Sequence, residues 1–247
     1  MAHARHLKRA PITEAIIDFR VTVPKEFDGT KVLTLKEQLS EQYPTVQEMR
    51  GAEAGIELGV GKLAAHARDL GLRGILFKSA DGMNIAQFRV DGFTFNRLKP
   101  YTSWEQAFPE ALRLWKLYVE RIWPAYASRL ALRYINRLRI PLPMEDFSQY
   151  LTSPPVVPPD LPQGISSFLT RVVLTDPELG LAANVTQAME GGLDPNSVTV
   201  ILDIDVYKVG EFDPQGVEVC QVLEALHTFK NRIFFGSLTE LALRDYE

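Results

Sequence analysis

Three observations predict an α+β fold for this 247-residue chain, a mainly antiparallel sheet with long helices packed on one face. Several short segments alternate apolar and polar residues with a period of two, the pattern of strands with one buried side. Two longer segments carry apolar residues at helical spacing. The order strand, short helix, strands, long helix occurs twice, so the chain divides into tandem halves, 1–126 and 127–247, expected to join in one compact unit.

The first half opens with Ile17, Phe19, Val21 and Val23 alternating with Asp18, Arg20 and Thr22, a half-buried strand. Val32, Leu33, Leu35, Leu39 and Tyr43 then stand near helical spacing, and an extended region begins at 56–60. Gly59 and Gly61 in "GVGKL" read as turn residues, because the segment lacks the spacing of a phosphate-cradling loop. Asp81-Gly82 and Asp91-Gly92 mark tight turns, since Asp and Gly tolerate positive φ. Trp104, Phe108, Ala111, Trp115, Tyr118 and Ile122 form one apolar helical stripe, preceded by Thr102 and Glu105 in a capping-box pattern.

The second half starts with "SRLALRYINRLRIPLP", which alternates as a strand but carries Arg129, Arg133, Arg137 and Arg139 in one row. A short helical stretch, "MEDFSQYL", follows. The five prolines of "SPPVVPPDLPQG" exclude helix and central strand, so this segment reads as a rigid crossover. Strands are expected near "SSFLTRVVL", "GLAANVTQA" and "SVTVILDIDVYKV". Asp213 and Pro214 then supply an N-cap and first-turn proline for a helix through Val219, Val222, Leu223, Leu226 and Phe229, closing near Gly236.

Bulk properties narrow the function classes. A net charge of -4 repels polyanions slightly, so any nucleic-acid contact has to be local. A single cysteine, Cys220, rules out an internal disulfide framework and suits a reducing compartment, here taken as the cytoplasm. It falls in the apolar register of the last long helix, as a packed thiol. No apolar run reaches membrane-spanning length, and none of signal-peptide length follows the basic start. His3, Arg5, His6, Lys8 and Arg9 read as a solvated tail. The four histidines are scattered without metal-ligand spacing, and no nucleophile elbow or dinucleotide fingerprint occurs. No catalytic residue, metal or cofactor is expected.

Charge on strands remains as the candidate chemistry. "LDIDVY" places Asp203, Asp205 and Tyr207 on one face, Asp18 shares a face with Arg20, and Gln87 shares one with Arg89. Arg20, Arg89, Arg133, Asn136, Arg137, Asp203 and Asp205 therefore form a candidate binding surface on the polar side of the sheet. Two outcomes are open. Arginines fully paired with Asp203 and Asp205 make a salt-bridge lattice, whereas surplus arginines offer forks for a carboxylate or phosphate. Asp203 and Asp205 around a divalent ion would be a third use.

The stretches "RAPITEAIIDFRV", "FNRLKPYTSWEQAFPEALRLW", "LRYINRLRIP" and "KNRIFFGSLT" together resemble a sporadically distributed bacterial family of about this length whose function is unassigned. The resemblance implies no catalytic residues. It adds Glu14, Arg97, Lys230 and Asn231 as candidate motif contacts, with Lys230 and Asn231 expected to cap the carbonyls of the last long helix. Patchy distribution is common among defence and toxin-antitoxin gene pairs, so the resemblance implies a protein partner. By element order alone the doubled arrangement also resembles the saddle of the TATA-binding protein. The acidic composition and the absence of a basic, phenylalanine-studded face argue against that protein's DNA function. The expectation is a non-enzymatic binding protein with a protein partner; the alternative is a nucleic-acid or nucleotide-binding module using the arginines. Nothing in the sequence indicates an oligomeric state.

Overall fold

The computed structural model describes residues 2–24, 28–59, 62–191 and 194–247, with backbone only over 52–59 and 62–70. The first half contributes β1 (Ile12–Thr22), β2 (Thr45–Gly59), β3 (Lys62–Lys78), β4 (Asn84–Arg89) and β5 (Gly92–Leu98). β6 (Tyr126–Pro141), which begins one residue before the expected boundary, β7 (Leu169–Asp176), β8 (Leu181–Glu190) and β9 (Ser197–Phe212) follow in the rest of the chain. The helices are α1 (Leu35–Leu39), α2 (Trp104–Ile122), α3 (Val217–Ser237) and α4 (Glu240–Leu243). All nine strands join in one sheet, in the order β2-β3-β4-β5-β1-β6-β9-β8-β7, and every pair in it is antiparallel. The protein is thus an α+β fold dominated by an antiparallel sheet.

The two first strands meet at the centre, with Ile17 opposite Leu132 and Asp18 opposite Ala131. Outward from this seam, β1 pairs with β5 and β6 with β9. Strict alternation gives each central strand one apolar row, and Ile17, Phe19, Leu130, Leu132, Tyr134, Leu202 and Ile204 are all buried. Trp115 of α2 stacks on Phe19 with ring centres 4.3 Å apart, and Tyr118 lies 6.1 Å from Phe93. Such ring pairs add about 0.5–1.5 kcal/mol beyond the area they bury. The close approach of β5 to β1 requires Gly92, since a Cβ there would lie 2.3 Å from the Phe19 carbonyl oxygen.

Element boundaries depart from the sequence reading where local chemistry competes. The segment expected as one helix near 32–43 is a 3-10 turn, Gly29–Thr34, followed by the short α1. The extended region expected from 56 already begins at Thr45, and Gly61 lies outside the described residues. Ser103, not Thr102, is the N-cap of α2, while the Thr102 hydroxyl is turned to Gln106 Oε1. Asp213 closes a turn by accepting from the Gln215 amide, so α3 starts later, behind Gly216. "MEDFSQYL" holds the 3-10 turn Phe147–Gln149 in place of a helix and ends in a single bridge from Leu151 to Leu238, and the proline-rich crossover has neither helix nor strand.

The start of the chain corrects the expectation of a solvated tail. Ala2 and Leu7 are buried, and the Ala2 amide donates to the carbonyls of Phe235 and Leu238 at 3.2 and 2.8 Å. The His3 amide donates to Glu240, and Arg5 forms ion pairs with Glu240 and Glu247. Apolar anchors at Ala2, before the basic residues, and at Leu7, among them, turn the segment into a strap across the end of α3. Among the described residues no helix is long and apolar enough to cross a membrane.

Candidate functional site

The charged face of the sheet is organised around three aspartates. Asp18 on β1 accepts from the Thr94 hydroxyl at 2.7 Å, from Arg89 at 3.1 Å and from Arg129 at 3.4 Å. Arg129 Nη2 also donates to both carboxylate oxygens of Asp205, at 3.0 and 3.1 Å, with the guanidinium 4.7 Å from the centre of the Tyr207 ring. Arg133 forks onto Asp203, its shortest contact being 2.6 Å, and this pairing raises its pKa. Arg133 lies opposite Asp205 in register, so it reaches along β9 to the next aspartate and leaves Asp205 to Arg129. Arg137 pairs with Glu190 of β8, correcting its expected pairing with an aspartate of β9. Arg139 holds Asp194, whose carboxyl is lowered to about 2 by the Ser197 hydroxyl and then by this arginine.

The row is therefore compensated, which is the salt-bridge-lattice outcome. Arg20 has the loosest tie, 65% exposed and 3.8 Å from Asp18. Of the motif contacts on the first half, Arg97 donates to Asn84 at 3.0 Å and Glu14 accepts from Asn96 at 2.6 Å.

Three predicted site residues belong to the other side of the sheet. Asn136 continues the buried row of Leu132 and Tyr134, and its amide donates to the carbonyls of Tyr134 and Leu202. Parity along β6 removes it from the charged face. Lys230 and Asn231 lie more than a turn before the end of α3 at Ser237, so they do not cap the helix. Lys230 Nζ instead donates to Asn231 Oδ1 at 2.6 Å and sits 3.9 Å from the centre of the Tyr134 ring. Its side chain continues the apolar stripe of Leu226, Phe229 and Ile233, which accounts for its burial.

These residues line a cavity of about 310 Å³ between the strap, the start of α2 and α3. The stretches 9–21, 95–115, 132–141 and 230–239 each place residues on its wall. Tyr101 and Tyr134 share a hydrogen bond of 3.2 Å between their hydroxyls, and burial raises Tyr101 to about 12. His227 stacks on Trp104 with centres 4.5 Å apart, and burial, then Lys230, lowers its pKa to about 4. Burial alone lowers Lys230 to about 7. The sequence places Trp104 in a core stripe and His227 among scattered histidines, and it gives Tyr101 no role. The helical spacing of His227 to Lys230 and Asn231 is a local signal for His227 alone.

At the far edge of the sheet β7 pairs only with β8, and its outer side pairs with no other strand among the described residues. Leu169, Val172 and Val173 are 72%, 53% and 56% exposed. Cys220 is half-buried in a groove with Trp115 and Val219, less enclosed than the packed thiol expected. Among the described residues no cluster of three or more His, Cys, Asp or Glu side chains could hold a metal ion.

No family model, curated protein or solved structure matches the chain.

Proposed function

We propose that the protein is a non-enzymatic binding protein whose protein partner adds an extended segment along β7. The observation that carries this reading is an edge strand with apolar side chains exposed on both faces, Leu169 and Val173 on one and Val172 and Leu174 on the other. Monomeric sheets blunt such edges with charge, proline or a covering element, and β7 has only Arg171 and the terminal Asp176. Strand addition would supply main-chain hydrogen bonds for affinity, and alternate side chains for specificity.

In this reading α2 and α3 together back the apolar face. The halves 1–126 and 127–247 are versions of one unit, each giving its first strand to the central seam. The partner is the other member of a prokaryotic defence or toxin-antitoxin type gene pair, met in the cytoplasm. Nucleic acid fits less well, because Arg129, Arg133, Arg137 and Arg139 already hold carboxylates.

Co-expression with the product of the adjacent gene tests the proposal. Wild type should co-purify with that product in fixed ratio, and Val173→Lys should reduce the association at least tenfold while keeping its unfolding midpoint. Wild type purifying alone, or a variant that binds equally well, would overturn it. A homodimer abolished by Val173→Lys would also reject it, by assigning the edge to a second copy.

A further inference from the structure

Lys230 is only 6% exposed, yet its amine forms no ion pair with a carboxylate of any described residue. An ammonium has three donors, and here one goes to Asn231 Oδ1 while the Tyr134 ring face takes another direction. Burying a cation without a counter-charge is costly, and a pairing anion relieves that cost. The acids nearest the cavity are engaged elsewhere. Glu224 accepts from Trp104 Nε1 at 2.9 Å, and Glu105 is held low by its own backbone amide and the Ser103 hydroxyl. Arg5 is committed to Glu240 and Glu247. The remaining titratable neighbours, His227, His6, Tyr101 and Tyr134, bring no negative charge near neutral pH.

We propose that this cavity binds a small apolar carboxylate, its anionic group paired with the Lys230 amine and its body packed against Trp104, Leu7, Phe234 and Phe235. The volume, about 310 Å³, stands at the small end of ligand cavities and accommodates one aromatic ring with a short acid arm. One buried amine matches a monoanion. A dianionic phosphate would bring an unmatched second charge beside Glu105, a wall residue of the same cavity. Because the amine titrates within reach of neutral pH, binding of the acid takes up a proton and tightens as pH falls from 9 to 6.5.

Calorimetry with phenylacetate and its neutral isostere phenylacetamide tests the inference on the full chain. Phenylacetate should bind at least tenfold more tightly than the amide at pH 6.5, with proton uptake seen as a buffer-dependent heat near pH 7.5. The preference should shrink at pH 9 and vanish in Lys230→Met. Equal binding of acid and amide, binding of neither, or a preference unchanged by pH would overturn the proposal. So would inorganic phosphate binding as tightly as phenylacetate. The wild-type ratio and its pH dependence decide the matter even where Lys230→Met does not fold.

Discussion

On the charged face of the sheet Arg129 and Arg133 each hold both carboxylate oxygens of an aspartate, whereas Lys230, above the apolar face, has an amide oxygen and a ring beside its amine and no carboxylate. One region puts its cations on a strand and the other on a helix packed over the sheet, and one is electrically closed while the other is open. The conspicuous row of arginines is thus architecture. The single buried amine, though less visible in the sequence, has unused capacity for a ligand.

The most direct way to break this contrast is Asp18→Ala. It strips one carboxylate from two arginines that are themselves mostly covered, Arg89 and Arg129. Removing one partner from such a pair costs more than the pair's net value, so a loss of about 2–3 kcal/mol is expected in urea unfolding, with an unchanged m-value. A loss below 0.5 kcal/mol would show that the lattice is ornamental.

Lys230 supplies the opposite signature. Its folded pKa of about 7 lies below the ordinary 10.5, so between these values the unfolded chain binds more protons and stability rises with pH. Wild type should gain up to about 4 kcal/mol relative to Lys230→Met from pH 7 to pH 10.5, read as a growing difference in melting temperature. A constant difference would mean that the amine is not held uncompensated. His227 sharpens the same point on the acid side. With its folded pKa lowered to about 4 from 6.5, the neutral ring's stability is whole above 6.5 and is lost as pH falls towards 4. His227→Gln should remove about 2 kcal/mol of that acid sensitivity, measured by unfolding at pH 4.5 and 7.

The smallest effect belongs to Arg133, which is 47% exposed. Arg133→Ala should cost about 1 kcal/mol or less, and should leave nucleic-acid retention at low salt unchanged. A steep, salt-dependent retention lost in this variant would reopen the charged face as a binding surface.

How much of this was legible follows from the range of the interactions. β1, β6 and β9 show plain period-two alternation, and their parity alone puts Arg129, Arg133, Asp203 and Asp205 in one layer. The same parity assigns Asn136 to the buried row, a signal available but overridden by its neighbouring arginines. Lys230 likewise stands in an apolar helical stripe, where its charge invited a surface or capping role. The cavity was not legible, since its walls come from stretches separated by most of the chain and joined only by tertiary packing. Nor was the strap, because Ala2 and Leu7 form no period. Edge position, too, is a property of strand order, so "LTRVVLTD" could be read as a strand without revealing that it is half unpaired.

The central seam has a further consequence, for the time course of synthesis. Asp18 meets Arg129 across 111 residues of chain, and β1 has no inner neighbour until β6 has emerged. During translation the first half must therefore wait with an open strand at what will become the middle of the molecule. Long-range closure of this kind slows folding and prolongs exposure of unpaired backbone. A nascent chain arrested before residue 126 should accordingly engage holding chaperones, while one released after residue 212 should not.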